Sequence, residues 1–385
     1  MNLLLKRVLL SCTCFLVLST HAMADPMEDA KLSYAEGRYA SALKLLTPLA
    51  RNGNVSAQHL LGEMYANGQG VSQSYKEALK WYHLAAEQGD ANAQFELGMM
   101  YHRGRVIPQD GKEAAKWYQK AAEKGNKTAP FLLGLMYGKG QGVRQDHQQA
   151  VGWYRMAAEQ GNVSAQFNLG WMYLNGQGVI RDHDEAAKWF KLAAAQGNAL
   201  AQWNLGSMYD KGDGVTQNYP EALKWYQLAA NQGNASAQFS LGSMYDQGKG
   251  VPQDNGEKLK WLRMAADQGN ALAQLNLGSI YEGGKGVPQD YSEAFKWYQS
   301  AAEQGNTTAQ TNLGWMYSKG HGVTQNNVLS YMWFEVAKAN SDSDEQQVLV
   351  VVRNSVAAFM TAKQIKQAQS FAKKCSAREF KRCQR

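Results

Sequence analysis

The sequence predicts an all-α fold, an α/α solenoid of about eight 36-residue repeats with helical caps. Three rows of residues predict it. Gly62, Gly98, Gly134, Gly170, Gly206, Gly242, Gly278 and Gly314 recur every 36 residues. Trp81, Trp117, Trp153, Trp189, Trp225, Trp261, Trp297 and Trp333 keep the same step. So do Tyr65, Tyr101, Tyr137, Tyr173, Tyr209, Tyr245, Tyr281 and Tyr317. A fixed period in this range marks supersecondary units stacked on their neighbours. Composition agrees: 385 residues with 44% hydrophobic and 11% aromatic content are globular, not disordered or collagenous.

Taken in order, the chain opens with Lys6 and Arg7, an apolar run from Val8 to Leu18, and an A-x-A site at Ala22-Met23-Ala24. This pattern predicts a secretory signal peptide over residues 1–24, too short to span a bilayer. The expectation is an exported protein, periplasmic or secreted, in a Gram-negative bacterium. A lipoprotein site at Cys12 fits poorly, because only a short apolar run precedes it. Residues 25–53 are a degenerate half-repeat cap: Ala42, Leu43, Ala50 and Gly53 align one period before Ala78, Leu79, Ala86 and Gly89.

Residues 54–340 hold the eight repeats, each with two helices. In one copy Ala165, Leu169, Met172 and Tyr173 make an apolar helical face. Asn175-Gly176-Gln177-Gly178-Val179 breaks that helix, and Asp182-x-x-Glu185 opens the next as a capping box. Ala186, Trp189, Phe190, Ala193 and Ala194 form its apolar face, and Gly197 ends it. The box recurs as Ser74/Glu77, Asp110/Glu113, Asp146/Gln149, Asn218/Glu221, Asp254/Glu257 and Asp290/Glu293, and fails at Leu329. Lys80, Lys116, Lys188, Lys224, Lys260 and Lys296 follow the capping-box Glu by three and read as a balanced solvated face. Burying each repeat Trp predicts a gross gain of about 4–6 kcal/mol. Residues 341–374 are capping helices, Gln346 to Met360 and Lys363 to Lys374, the second opened by a Thr361/Gln364 box. Residues 375–385 are a basic tail with a cysteine pair.

The pattern A-x-x-x-L-G-x-M-Y-x-x-G-x-G-V, then D-x-x-E-A-x-K-W-Y-x-x-A-A-x-x-G-N, resembles the Sel1-like repeat, a cousin of the tetratricopeptide repeat. Ala201, Leu205-Gly206, Met208-Tyr209, Gly212, Gly214-Val215, Glu221-Ala222, Lys224-Trp225-Tyr226, Ala229-Ala230 and Gly233-Asn234 carry it in one copy. Val106 replaces the second loop glycine once, an exchange expected to alter only that loop. The resemblance implies an α/α superhelix that binds proteins in its groove. Exported bacterial members are similar to envelope adaptors and to factors acting on host proteins. A cysteine-rich branch linked to β-lactam binding carries a disulfide in every repeat, whereas these repeats contain no cysteine.

Subtracting scaffold positions leaves few residues for chemistry. Of 37 glycines, 31 fall at four repeat positions, and the others form no nucleotide-binding motif. The sequence contains neither G-x-S-x-G nor H-E-x-x-H. His59, His83, His102, His147, His183 and His321 lack metal-ligand spacing. The expectation is therefore no catalytic constellation, no metal and no cofactor. Trp171, Trp203 and Trp315 are surplus to the repeat. Trp203 shares its position with Phe95, Phe131, Phe167 and Phe239, an inter-repeat core stripe. Trp171 and Trp315 share theirs with Glu63, Met99, Leu135, Ser207, Ser243 and Ser279, a pattern unlike core.

Three residues earlier runs the row Leu60, Glu96, Leu132, Asn168, Asn204, Ser240, Asn276 and Asn312. Side-chain amides offer donor and acceptor to an extended peptide backbone. Two readings stay open: Asn168, Asn204, Asn276 and Asn312 clamp a partner segment flanked by Trp171 and Trp315, or the row is duplication history on a solvated face. Cys375 and Cys383 pair if the chain breaks between Ser376 and Phe380, or remain thiols. Lys363, Lys366, Lys373, Lys374, Arg378, Lys381, Arg382 and Arg385 face one acid, Glu379. That basic end is either solvated or in weak contact with an anionic surface. The charge is too localised to argue for nucleic acid, and no later segment is long and apolar enough to span a membrane.

The expected function is a non-catalytic protein–protein interaction scaffold of the bacterial envelope, binding a protein or peptide on a concave groove. The alternatives are a cell-wall or β-lactam-related enzyme on the same scaffold, and a secreted factor engaging host proteins.

Overall fold

The computed structural model describes residues 25–380 and 383. The expected signal peptide over 1–24, and Lys381, Arg382 and Arg385 of the basic end, lie outside the described residues. Within them the regular structure is helical throughout, in two compact units that divide at Gln160/Gly161.

The first unit holds α1 (Pro26–Ala35), α2 (Tyr39–Arg51), α3 (Val55–Asn67), α4 (Tyr75–Glu87), α5 (Ala91–Arg103), α6 (Gly111–Glu123), α7 (Ala129–Lys139) and α8 (His147–Glu159). The second holds α9 (Val163–Asn175), α10 (His183–Ala195), α11 (Ala199–Lys211), α12 (Tyr219–Asn231), α13 (Ala235–Gln247), α14 (Asn255–Asp267), α15 (Ala271–Gly283), α16 (Tyr291–Ala302), α17 (Thr307–Lys319), α18 (Asn327–Ala339), α19 (Ser343–Ala357) and α20 (Ala362–Ala377). In each unit consecutive helices pair into hairpins, and each hairpin packs on the next. Residues 26–51 form a whole hairpin, α1–α2, rather than half of one.

The repeat glycines are explained by close approach. A Cβ added at Gly62, Gly206 or Gly278 would stand 2.5–2.7 Å from the ring of Tyr82, Tyr226 or Tyr298. The second-helix ring therefore lies flat against the first helix, where only glycine fits. The tryptophans work between hairpins. Trp81 packs on the α1–α3 cluster, Trp225 on the α10–α11 cluster and Trp297 on the α14–α15 cluster. Only Trp117, Trp261 and Trp333 are buried outright, so full burial holds for these three. The other five keep one flank half-exposed at the side of the stack.

A joint that periodicity did not disclose is built from glutamine. Buried Gln58, Gln94, Gln202, Gln238, Gln274 and Gln310 donate to the carbonyls of Ala50, Ala86, Ala194, Ala230, Ala266 and Ala302 at 3.0–3.2 Å. Their oxygens accept from the side chain that ends the following helix, as Gln232 donates to Gln202 and Gln304 to Gln274. Each such glutamine thus links two hairpins in register while satisfying a buried amide. Lys124 breaks the pattern, and Gln94 Oε1 is left buried without a partner.

The capping boxes are only half closed. Ser74, Asp110, Asp146, Asp182, Asn218, Asp254, Asp290 and Asn326 each accept from the backbone N–H three residues on. Their own N–H groups instead donate to a tyrosine carbonyl of the preceding helix, as Ser74 does to Tyr65 and Asp290 to Tyr281. The acids turn to the lysines, Glu77 to Lys80 and Glu293 to Lys296. Among the described residues only Thr361/Gln364 closes a full box. Leu329 costs an acid and no cap, since Asn326 still accepts from its N–H. Loop glutamines such as Gln73, Gln217 and Gln289 staple the hairpin loop by donating to the end of the first helix at 2.7–2.8 Å.

At the C-terminal end α19 and α20 pack on α18. Helix α19 starts at Ser343 rather than Gln346, because Asp342 caps it through the Glu345 N–H. Helix α20 runs to Ala377, which places Cys375 inside its last turn rather than in a tail.

Candidate partner-binding face

All six residues expected to clamp a partner lie on the first helices of the second unit: Asn168 and Trp171 on α9, Asn204 on α11, Asn276 on α15, Asn312 and Trp315 on α17. One face therefore carries them, because the asparagines share one register of the hairpin and the tryptophans another, one turn later. Their surroundings differ. Trp171 is 41% exposed and Trp315 37%, whereas Leu169 and Leu313 in the same helices are fully buried. The four asparagines are half-buried.

The rings of the second helices explain much of this row. The Tyr226 hydroxyl reaches Ser207 of its own hairpin and Ser240 of the next. Burial, aided by the Asp210 charge, pushes Tyr226 up to about 12. The Tyr298 hydroxyl donates to Glu282 Oε2 at 2.7 Å and is also hydrogen-bonded to Ser279 and Asn312. So the asparagine or serine of one hairpin meets the ring hydroxyl of the hairpin before it. Asn204 follows Phe190, which has no hydroxyl, and its amide donates instead to Leu200 O of its own helix at 2.8 Å. Asn276 follows Leu262, which has no ring at all.

A pairing within hairpins accounts for the two tryptophans. Both stand in repeats whose ring is Phe rather than Tyr: Trp171 with Phe190, Trp315 with Phe334. Trp315 packs edge-on against Phe334 at 5.3 Å, and Lys319 lies over its outer face at 5.5 Å. The pairing runs one way: both Phe repeats carry Trp, while Tyr118 and Tyr154 stand with Met99 and Leu135, and Leu262 with Ser243. Comparing the two positions across repeats would have shown this correlation in the sequence. Trp203 lies in the inter-repeat layer, half-buried, with its indole N–H donating to Ser240.

Two clefts open on the same face. One of about 390 Å³ lies between α11 and α13, with Trp203, Ser207, Ser240 and Ser243 in its wall. The next, of about 260 Å³, lies between α13 and α15 and shares Ser243. The face is thus a row of polar groups and half-exposed rings, pitted between hairpins.

The Sel1 repeat model matches residues 55–90, 91–126, 129–162, 163–198, 199–234, 235–270, 271–306 and 307–342, most of the chain. The chain belongs to the Sel1 repeat family. It is similar to a protective antigen present in uropathogenic Escherichia coli strains, a crystal structure with an SLR fold. There the identity is 32% and the TM-score 0.64, over 93% of this chain and 87% of that one. It is also similar to a Sel1 repeat protein from Oxalobacter formigenes, at 33% identity and TM-score 0.67, over 85% of this chain and 93% of that one. No curated protein matches it. Sel1 repeats are in general non-catalytic scaffolds associated with protein–protein interaction.

Outside the Sel1 repeats, Cys375 and Cys383 are joined by a disulfide with Cα atoms 4.7 Å apart. The chain reverses between them through Glu379 and Phe380, both in left-handed backbone, and Phe380 packs over Gly305. Lys363, Lys366, Lys373 and Lys374 stand exposed on α20. His59 lies 3.8 Å from Glu63 one turn on, both of them partly buried. Among the described residues, no cluster of three metal-binding side chains forms and no helix is long and apolar enough to cross a membrane.

Proposed function

We propose that this Sel1 repeat protein is a non-catalytic interaction scaffold of the bacterial envelope, exported to the periplasm or beyond. It holds an extended partner segment along the first-helix face of α9–α17. The observation that carries this is the row of Asn168, Asn204, Ser240, Asn276 and Asn312, bordered by Trp171 and Trp315, on a face cut by two clefts. Amides suit a peptide backbone, and clefts between rings suit its side chains. Helices fix both without loop movement, so little ordering entropy on the scaffold's side opposes binding.

The test is capture of partners by cross-linking from periplasmic extract, comparing the wild type with Asn168→Ala/Trp171→Ala/Asn276→Ala. Asn312 and Trp315 are left in place because they contact Tyr298 and Phe334. The wild type is expected to capture a protein that the triple variant, equally helical, does not. Equal capture would move the contact off this face. Fractionation into periplasm and medium separates an envelope adaptor from a secreted factor.

A further inference from the structure

One repeat departs from the other seven at two positions on one helix face. The second-helix ring is Tyr82, Tyr118, Tyr154, Phe190, Tyr226, Tyr298 or Phe334 elsewhere, but Leu262 in α14. One turn earlier every other repeat has Ala, or Ser330 in the last, all fully buried. In α14 that position is Lys258. A lysine at a buried helix–helix contact normally carries a heavy desolvation cost. Here it is tolerated because Leu262 is shorter than a ring and leaves room, and because Lys258 Nζ meets Asp246 Oδ1 at 2.6 Å. The lysine side chain is only 15% exposed, so the charge is held in place rather than waving in solvent.

The exchange does not simply refill the space. It leaves the cleft of about 260 Å³ between α13 and α15, with Ser243, Asp246, Lys258, Asn276, Ser279 and Lys285 around it. Two lysines and one aspartate give the cleft a net positive charge of about one, which a single carboxylate would balance. A phosphate dianion would set excess charge beside Asp246. Glu282, nearby on α15, keeps its charge but does not line the cleft; its carboxylate accepts from the Tyr298 hydroxyl. Asn276 is the asparagine of the row that follows Leu262, a side chain with neither ring nor hydroxyl, and it borders the cleft.

We propose that this cleft is a carboxylate-binding subsite, in which Lys258 and Lys285 supply charge and Asn276, Ser243 and Ser279 supply hydrogen bonds. It deepens the protein-binding reading above: the carboxylate belongs to the bound segment, as an acidic side chain or a free C-terminus. The subsite itself is testable without the partner.

The experiment uses the full chain and three capped probes: acetyl-Gly-Asp-Gly-amide, acetyl-Gly-Gly-Gly with a free carboxylate, and the neutral acetyl-Gly-Asn-Gly-amide. Amide and side-chain NMR signals of Ser243, Asn276 and Ser279 report binding. One carboxylate in a partly hydrated cleft is expected to bind at about 1–10 mM, more weakly as salt rises. The tighter of the two charged probes identifies the source. Lys258→Ala/Leu262→Tyr restores the residues of the neighbouring repeats, with Gly242 already in place to receive the ring. That variant is expected to melt no lower than the wild type and to lose the shifts. Silence from both charged probes overturns the proposal, as does equal response to the neutral one or an undiminished response from the double variant. Loss of partner capture in Asn168→Ala/Trp171→Ala/Asn276→Ala without any probe binding would keep the protein-binding reading and remove the subsite.

Discussion

At Val106 the backbone holds φ at +69°, the conformation its glycine counterparts adopt in other loops. A β-branched side chain there costs roughly 1–2 kcal/mol, and Val106 is too exposed to recover much by burial. Val106→Gly is therefore expected to stabilise the chain by about 1 kcal/mol, read as a rise in denaturant midpoint at unchanged slope. The sequence marked this residue as a loop exchange; the strain follows because the neighbouring hairpins dictate the turn. Other roles were less legible. The asparagine row was visible as a pattern, but Tyr226 and Tyr298 reaching it was not, since hydroxyl contacts join residues of different hairpins. Lys258 was not among the residues the sequence singled out; its role follows from Leu262 and Asp246 beside it in space.

The elements at the C-terminal end are held by two devices of different chemistry. Glu335 on α18 accepts from Lys338 at 2.8 Å and also from Arg353 on α19. Burial is the largest influence on its carboxyl and opposes ionisation, but the hydrogen bonds and charges of Lys338 and Arg353 together outweigh it and hold it below the usual carboxylate range. A depressed acid stabilises the fold above its unfolded value, about 4.3, and that contribution is lost as pH falls through the folded value. Glu335→Gln is expected to loosen α19 by about 1–3 kcal/mol at neutral pH and to flatten the acid dependence. Amide exchange in α19 measures both. The disulfide closes a short loop, so Cys375→Ser/Cys383→Ser is expected to cost about 2–3 kcal/mol. Thermal melts of the variant, compared with the wild type with and without reductant, check it. The helices themselves were legible from period and caps. The start of α19 was missed although Asp342 stands one period after the cap Asn306, because Ser341 replaces the glycine that precedes the other caps and the apolar pattern stops there.

Across the whole molecule, stability sums over hairpins and the joints between them. The first unit has two imperfect joints: Lys124 stands where glutamine ends other second helices, leaving Gln94 Oε1 buried and unpaired, and Pro130 replaces the next joint glutamine. Lys124→Gln is expected to add about 1–2 kcal/mol by giving that oxygen a donor. Exchange protection in α5 and α6 would rise, while an unchanged profile would show that water already serves the site. The architecture was legible because 36-residue spacing survives any side-chain detail. The joints were not, because a glutamine on a polar-looking position gives no hint that it is buried. They nevertheless set how such a chain can change length. Gln232, Gln202 and Ala194 make the same contacts as Gln304, Gln274 and Ala266. Ends that match chemically allow a whole hairpin to be duplicated or deleted with no new interface to invent, so reach along a partner becomes an inherited variable rather than a redesign.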